Sequence, residues 1–266
     1  MSIPPPQDGS VALVTGASSG IGEQFARQLS ARGHRVALVA RREQRLAEFA
    51  QELGGEDRAV PIVADLSVSE ERDRLASRLQ ELGVQVEVLG NNAGYGIYRS
   101  FAETGREQEL AQLRLLVEAV VDLMARYLPP MVQRGRGAVI NMSSTAGLQA
   151  LPYNASYSAA KSYVLMLSEA VHEEVADRGV TVTAVVPGPV PSGFQQASDA
   201  DYFAARLPKF TFVSPERVAR DALQAADSGR ISVIPGGPQV KLAFGPNRNL
   251  PRAIVLPVSK RLVARK

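Results

Sequence analysis

Runs of apolar, largely β-branched residues alternate along this chain with segments whose apolar positions have helical spacing. VALVTG, RVALVA, AVPIVA and VEVLG have the composition of short buried strands, and GAVINMSS, VTVTAVV and ISVIPG extend the series. Strands that are apolar throughout and alternate with helices are typical of a parallel sheet covered on both faces. The pattern predicts an α/β fold with a doubly wound, seven-stranded parallel sheet of the Rossmann type.

Helical spacing also places the connecting segments. Because proline cannot donate the helical hydrogen bond, we expect Pro129 and Pro130 to close the longest helix. The predicted helices cover about 42–53, 106–127 and 156–178, with another that begins near Pro215.

No internal repeat or linker composition divides the chain. We therefore predict a flexible leader over residues 1–8, a single domain over residues 9–235 and a basic tail over residues 236–266.

Composition excludes several classes of function. The chain has no cysteine and only two histidines, so we predict no metal site. A net charge of +3, with bases and acids interspersed over most of the length, argues against a nucleic-acid partner. The start lacks the pattern of a secretory signal, and no apolar run is long enough to span a bilayer. We expect a cytoplasmic protein.

A glycine-rich turn lies between the first strand and the first helix. In TGASSGIG, residues 15–22, Gly16 permits a tight turn, while Gly20 and Gly22 remove side chains that would block a phosphate or the packing of helix on strand. Backbone amides at a helix N-terminus bind phosphate well. The turn therefore predicts a dinucleotide site.

Four motifs in order carry a family resemblance: TGxxxGxG, NNAG after the fourth strand, NMSSTAG after the fifth, and YxxxK on the next helix. Together they resemble the short-chain dehydrogenase/reductase family over nearly the whole chain, to about residue 235. The resemblance implies an oxidoreductase that interconverts a ketone or aldehyde and an alcohol by hydride transfer, with a nicotinamide dinucleotide as cofactor and a homodimer or homotetramer as its assembly.

The second strand ends in ALVARRE. Ala40 stands where an NAD-preferring site usually has an acid, and Arg41 follows it. A guanidinium pairs well with a 2′-phosphate, so Arg41, together with Arg42, favours NADP(H) over NAD(H). The alternative for Arg42 is that it only opens a solvated helix.

The remaining cofactor contacts follow from the resemblance. Asp65 is expected at the adenine, and from the residues alone it is equally the N-cap of the next helix. Val190 and Ser192 are expected at the carboxamide. The full expected set is Gly16, Ser18, Ser19, Gly20, Ile21, Gly22, Arg41, Arg42, Asp65, Leu66, Asn92, Ala93, Gly94, Tyr157, Lys161, Pro187, Gly188, Val190 and Ser192.

Tyr157 and Lys161 are the candidate catalytic pair. Residues four apart share a helix face, and a nearby ammonium favours the phenolate, so we expect Lys161 to lower the pKa of Tyr157. The resemblance implies that Tyr157 is the acid/base, that Lys161 binds the nicotinamide ribose, and that Ser144 hydrogen-bonds the reacting oxygen. Ser143 is the neighbouring candidate, although its side chain is expected to point to the other side.

One position departs from the family pattern. Leu116 stands where the family generally has an asparagine that holds a proton-relay water. Leucine cannot hydrogen-bond, so the alternative function is a catalytically impaired protein that binds the dinucleotide as a ligand.

Substrate contacts are expected from YGIYRS, from LQALPY and from GFQQASDADYFAARLPKFTF, residues 193–212, which we expect to form a lid. Tyr153, Phe194, Tyr202 and Phe203 favour a lipophilic pocket, although packing of a lid explains them equally well. The tail gathers seven basic residues and no acid. Membrane contact through it is less favoured than oligomer packing or fraying.

Overall fold

Seven parallel strands form one sheet at the centre of the computed structural model, which describes residues 2–192, 198 and 205–264. The strands are β1 Ser10–Thr15, β2 Val36–Ala40, β3 Ala59–Val63, β4 Gln85–Asn91, β5 Gly137–Met142, β6 Val180–Val185 and β7 Ser232–Val233. Their order in the sheet is β3-β2-β1-β4-β5-β6-β7, and every neighbouring pair is parallel. The predicted doubly wound sheet is confirmed.

Helices cover both faces of this sheet. They are α1 Gly20–Ala31, α2 Glu43–Glu52, α3 Ser69–Glu81, α4 Arg106–Leu113, α5 Ala119–Arg134, α6 Ala155–Val175, α7 Pro215–Asp227, α8 Pro238–Phe244 and α9 Arg252–Val263. One face of the sheet buries residues of α1, α2 and α7, and the other face buries residues of α3, α5 and α6, each against an apolar layer supplied by the strands. This double coverage explains why β1, β5 and β6 are buried along their whole length.

The expected end of the long helix at Pro129 and Pro130 is wrong. Both prolines lie inside α5, which continues to Arg134 and stops at Gly135, a residue with φ of +62°. Met131 is fully buried on the sheet beyond the prolines. Packing of this apolar face keeps the helix intact where proline removes backbone hydrogen bonds, because tertiary burial supplies most helical stability in proteins.

The helix predicted from residue 106 is also divided. Between α4 and α5 the residues Arg114–Glu118 form a π-helical segment, which widens the helix by one residue per turn. Such segments occur most often at functional sites. This one places Leu116 inward.

Residues outside 9–235 also pack against the domain. Ile3 belongs to the apolar core, and Val240 of α8 joins the same core. The amide of Gly236 donates to Asp221 at 2.9 Å. The division into leader, domain and tail stays a prediction.

Candidate active site

The carboxyl ends of β1, β4, β5 and β6 open on one cavity of about 650 Å³. The strand order reverses between β1 and β4, which is the place where doubly wound sheets bind their ligands. The glycine turn follows β1 and the NNAG motif follows β4, while NMSSTAG and the PG turn follow β5 and β6. The four loops therefore meet at one edge of the sheet.

Close backbone packing explains the glycines of the first turn. Gly16 has a φ of +66°, which favours glycine. A Cβ added at Gly22 would lie 2.3 Å from the carbonyl oxygen of Gly16. Gly22 consequently packs α1 against the turn and does not line the cavity.

Thr15 ties the glycine turn to the NNAG loop. Its Oγ1 accepts hydrogen bonds from the backbone N–H of Asn92 at 2.8 Å and of Ala93 at 3.0 Å. The Asn92 side chain donates to the carbonyl of Thr15 at 2.9 Å. Sequence reasoning missed this role of Thr15, although the residue lies at the start of the quoted motif.

Two arginines reach the cavity from the end of β2. The guanidinium of Arg42 donates to Ser18 Oγ and to the Ser18 carbonyl at 3.0 Å each. Arg42 is thus hydrogen-bonded to the glycine turn. Its side chain therefore does more than open a solvated helix. Arg41 is 73% exposed and pairs with Asp65 at 3.6 Å. Both cations line the cavity beside the turn.

Asp65 does not cap a helix. The N-cap of α3 is Val68, and the Asp65 carboxylate accepts instead from the backbone N–H and the hydroxyl of Ser67. The prediction that Asp65 is the N-cap of this helix is therefore wrong. Burial alone would raise the pKa of Asp65, but the bonds from Ser67 and the charge of Arg41 outweigh burial and lower the pKa below its usual value.

Tyr157, Lys161 and Ser144 lie together at the other end of the cavity. Tyr157 and Ser144 share a side-chain hydrogen bond. The Lys161 ammonium donates to the carbonyl of Met142 at 2.7 Å and lies 5.7 Å from the centre of the Tyr157 ring. Ser144 Oγ also accepts from the backbone N–H of Ala146 at 3.1 Å. The helix α6 and the end of β5 thus bring the predicted trio into one place.

Burial dominates the acid–base properties of this trio. The Tyr157 side chain has its pKa raised to about 12 by burial, and the hydrogen bond with Ser144 offsets only part of that effect. Burial also lowers the pKa of Lys161 to about 8. The pKa of Tyr157 in this structure therefore lies above its usual value, opposite to the expected lowering, because burial is the largest influence on it.

Ser143 lines the same cavity, but its hydroxyl is held by the backbone of α6. Its hydroxyl donates to the carbonyl of Lys161 at 2.7 Å. A Cβ added at Gly147 would lie 2.7 Å from the Lys161 carbonyl carbon, so glycine lets the NMSSTAG loop approach α6. Both contacts fix the backbone around Lys161.

Leu116 lies behind the catalytic trio. It is fully buried in an apolar cluster with Tyr157 and Ala160. A Cβ added at Gly94 would lie 2.8 Å from Leu116 Cδ2 and 3.7 Å from Lys161 Nζ. An aliphatic side chain therefore fills the space between the NNAG loop and the buried tyrosine and lysine.

The wall of the cavity agrees in part with the expected substrate contacts. Tyr95, Tyr98, Gln149 and Leu151 line it, but Tyr153 does not. Tyr153 has a φ of +64° and lies in the turn before α6. Phe194, Tyr202 and Phe203 lie outside the described residues.

Phe244 lines the cavity near the PG turn and was missed by the sequence reasoning. Leu207 also lines the cavity and belongs to the stretch after Ser192 that was expected to contact the substrate. A Cβ added at Gly188 would lie 3.1 Å from the ring of Phe244. No motif marks Phe244, which comes from the tail and is brought here by tertiary packing of α8.

With the exception of Gly22, the cavity is lined by every residue expected at the cofactor or in catalysis. These are Gly16, Ser18, Ser19, Gly20, Ile21, Arg41, Arg42, Asp65, Leu66, Asn92, Ala93, Gly94, Ser144, Tyr157, Lys161, Pro187, Gly188, Val190 and Ser192.

Comparison with known proteins agrees with this geometry. The family model described as short chain dehydrogenase matches residues 10–202. A putative ketoacyl reductase of the granaticin polyketide synthase from Streptomyces violaceoruber is 37% identical over 79% of this chain and 83% of its own length. Among solved structures, a short-chain dehydrogenase from Sphingobium yanoikuyae in complex with NADPH has a TM-score of 0.76 at 29% identity, covering 85% of this chain and 87% of that chain.

A 3-ketoacyl-(acyl-carrier-protein) reductase from Brucella melitensis, complexed with NADH, has a TM-score of 0.75 at 25% identity over 86% of this chain and 98% of that chain. This protein is a short-chain dehydrogenase/reductase. It is accordingly an oxidoreductase that acts on C=O and CH–OH groups with a nicotinamide dinucleotide.

Among the described residues, no helix has the length and apolar character that a bilayer crossing requires. In the same part of the chain, no group of three or more acidic or histidine side chains is arranged to hold a metal ion.

Proposed function

We propose that this protein interconverts a lipophilic ketone or aldehyde and the corresponding alcohol with NADP(H), through Tyr157, Ser144 and Lys161. One observation carries the proposal. The buried hydrogen bond between Tyr157 and Ser144 lies in the same cavity as the glycine turn and its two arginines. A proton donor and a dinucleotide cradle therefore face one space.

The residues of the trio divide the work. In the direction of reduction, the Tyr157 hydroxyl gives its proton to the carbonyl oxygen, and Ser144 donates a hydrogen bond to that oxygen as negative charge develops. A tyrosine with a pKa of about 12 is fully protonated at neutral pH, which suits an acid. The bound dinucleotide supplies the hydride to the carbonyl carbon. The Lys161 ammonium holds positive charge beside the tyrosine and would bind a ribose hydroxyl of the dinucleotide.

The preference for NADP(H) rests on the cations at the other end. Arg41 and Arg42 line the cavity, and Ala40 offers no carboxylate to accept from ribose hydroxyls. A 2′-phosphate placed between the guanidinium groups would gain charge-assisted hydrogen bonds. The NADPH complex of the Sphingobium relative supports this preference.

The wall of the cavity supports the proposed substrate class. The cavity is lined by the mainly apolar side chains of Tyr95, Tyr98, Leu151, Leu207 and Phe244. Apolar walls with a few convergent polar groups are typical of sites for small lipophilic molecules. The name of the Streptomyces relative, a putative ketoacyl reductase, agrees with such a substrate.

The experiment measures NADPH oxidation with a panel of aldehydes, cyclic ketones and β-ketoacyl thioesters. Tyr157→Phe is compared with Tyr163→Phe, because Tyr163 lies on the same helix but is 46% exposed. We expect turnover in the wild type and in Tyr163→Phe, and a loss of at least about a hundredfold in Tyr157→Phe. Equal rates in both variants would exclude the mechanism.

Leu116 favours a second candidate, a protein that binds the dinucleotide without turning over a substrate. Its buried methyl groups lie where a hydrogen-bonding side chain would serve proton supply. This candidate would be supported if NADPH bound tightly, as measured by protein fluorescence, and no compound of the panel were turned over. Turnover that depends on Tyr157 excludes it.

A further inference from the structure

Exposed aliphatic side chains concentrate in the segment that contains α8 and α9. Thirteen large hydrophobic residues are exposed among those that the structure describes, and six of them fall between residues 242 and 262. A monomeric surface rarely collects so many in one short segment without a partner. We call these six, with the neighbouring cations, the tail surface: Leu242, Leu250, Ile254, Leu256, Val258 and Leu262, with Lys241, Arg252, Lys260 and Arg261.

The helix α9 separates a buried from an exposed apolar stripe. Val255, Ser259 and Val263 face the body of the protein at intervals of four residues. Ile254, Val258 and Leu262 repeat with the same interval on the outside, where they are 59%, 53% and 39% exposed. The outer stripe is consequently not needed for packing α9 on the domain.

The tail surface is positively charged. Residues 236–266 contain seven basic residues and no acid, whereas the whole chain carries only +3, so the rest of the chain is net acidic. Arg248 is held by Glu169 in a two-pronged ion pair at 3.0 Å. Within residues 2–192, 198 and 205–264, no acid pairs with the four cations of the tail surface.

We propose that the tail surface docks on an anionic lipid bilayer, with its aliphatic side chains in the headgroup region and its cations against lipid phosphates. A basic amphipathic helix that lies in the interface has this combination of residues. An isologous contact between two copies would instead bring cation against cation. Charge complementarity therefore favours an anionic membrane over a second copy of the chain.

The tail surface is joined to the rim of the cavity. Phe244, at the end of α8, lines the cavity two residues after the exposed Leu242. The guanidinium of Arg206, beside the wall residue Leu207, donates to the carbonyls of Leu262 and Ala264 at 3.0 and 2.6 Å. A docked tail surface would place the rim of the cavity at the lipid. This consequence rests on the proposed function, but the docking does not.

The test is sedimentation of the purified full chain with phosphatidylcholine vesicles that contain or lack phosphatidylglycerol. No substrate or dinucleotide is present, so failure of the proposed function cannot affect the readout. We expect binding to the anionic vesicles at low ionic strength and at least a ~tenfold loss of affinity in about 0.5 M salt, since salt screens exposed charge. Absence of binding, or equal binding to neutral vesicles, would overturn the proposal.

Matched variants assign the binding to the tail surface. Ile254→Ser is compared with Met166→Ser, because the two side chains are 59% and 58% exposed. The double change Arg252→Glu and Arg261→Glu is compared with Arg74→Glu and Arg78→Glu on α3. Each lost cation is expected to weaken binding about fivefold, and reversal of charge more. The α3 and Met166 variants should bind like the wild type.

Vesicle binding that survives both tail variants would overturn the assignment to this surface. Analytical ultracentrifugation tests the alternative partner, a second copy of the chain, by measuring self-association. If the wild type self-associates without binding vesicles and Ile254→Ser does not self-associate, the surface joins copies of the chain and the proposal is wrong.

Discussion

The two ends of the cavity hold charged and polar groups in opposite ways. At one end Arg41 is 73% exposed and pairs with Asp65 across 3.6 Å, in contact with water. At the other end Tyr157 and Lys161 are 7% and 5% exposed. Water screens the exposed pair, so its charges cost little. The buried pair loses its hydration, which favours the neutral form of each group. The pKa of Tyr157 is raised and the pKa of Lys161 is lowered for this reason.

This difference separates binding from chemistry. A substitution at the exposed end changes the affinity for one anion and leaves the fold unaffected. A substitution at the buried end changes reactivity and stability together, because the same desolvation sets the pKa and opposes the charged form in the folded state. The following variants test whether the two ends are independent in this sense.

Lys161→Met should have the largest effect. It removes the buried cation beside Tyr157, and we expect kcat to fall by about 10² to 10³, within the range of acid–base contributions. Methionine keeps most of the volume without a charge to desolvate, so the Tm at pH 7 should equal or exceed that of the wild type. Steady-state kinetics and thermal unfolding measure the two effects.

The pH dependence of unfolding is the control for this variant. In the unfolded chain Lys161 holds its proton up to its ordinary pKa of 10.5, but in the folded protein only up to about 8. Between these values the unfolded state binds more protons, so the lysine contribution to stability increases as pH rises. Lys161→Met should lack that increase. A lower Tm in the variant at pH 7 would contradict the cost that we assign to the buried cation.

Arg41→Ala should change the choice of cofactor without changing the reaction. Loss of charge-assisted hydrogen bonds to a 2′-phosphate is expected to lower kcat/KM for NADPH by about 10- to 100-fold and to leave that for NADH nearly unchanged. The measurement is the ratio of the two kcat/KM values with one substrate.

Arg74→Ala is the matched control for this change. Arg74 is 75% exposed, lies on α3 and pairs with Glu71. Its loss should leave the NADPH to NADH ratio as in the wild type. If Arg41→Ala also left the ratio intact, the assignment of the 2′-phosphate to this end would be wrong.

Features set by local sequence could be predicted from this chain. The glycine turn, the NNAG and NMSSTAG loops and YxxxK each follow a strand whose apolar run is visible, and the parallel topology then brings their ends together. Ser144 is an example, because it follows β5 and therefore lies at the edge of the sheet where Tyr157 and Lys161 are found.

Features set by packing between distant segments could not be predicted. The continuation of α5 through Pro129 depends on burial of Met131 against the sheet. Phe244 reaches the cavity only because α8 packs back near Gly188. The pKa of Tyr157 depends on how deeply the side chain is buried, which helical spacing does not reveal.

The kcat/KM for carbonyl reduction should decrease at high pH as the buried Lys161 loses its proton. Lys161 is protonated below its pKa of about 8 and neutral above it. Because the ammonium makes the neighbouring tyrosine a stronger acid, kcat/KM should fall about tenfold per pH unit once the pH exceeds that value. Assays between pH 6 and pH 10 check this. An unchanged limb in Lys161→Met would show that another group titrates.

Leu116→Asn should have the smallest effect on rate and the most specific one. An amide behind Tyr157 could hold a water near the Lys161 ammonium, so we expect kcat to rise by less than about tenfold. A buried amide with incomplete hydrogen bonds costs about 1–3 kcal/mol, so the Tm should fall. Leu123→Asn, equally buried on α5 but outside the Tyr157 cluster, should lower the Tm without raising kcat. A fall of kcat in Leu116→Asn would mean that the leucine positions Tyr157 by packing. It would also mean that catalysis at the buried end depends on the exclusion of water.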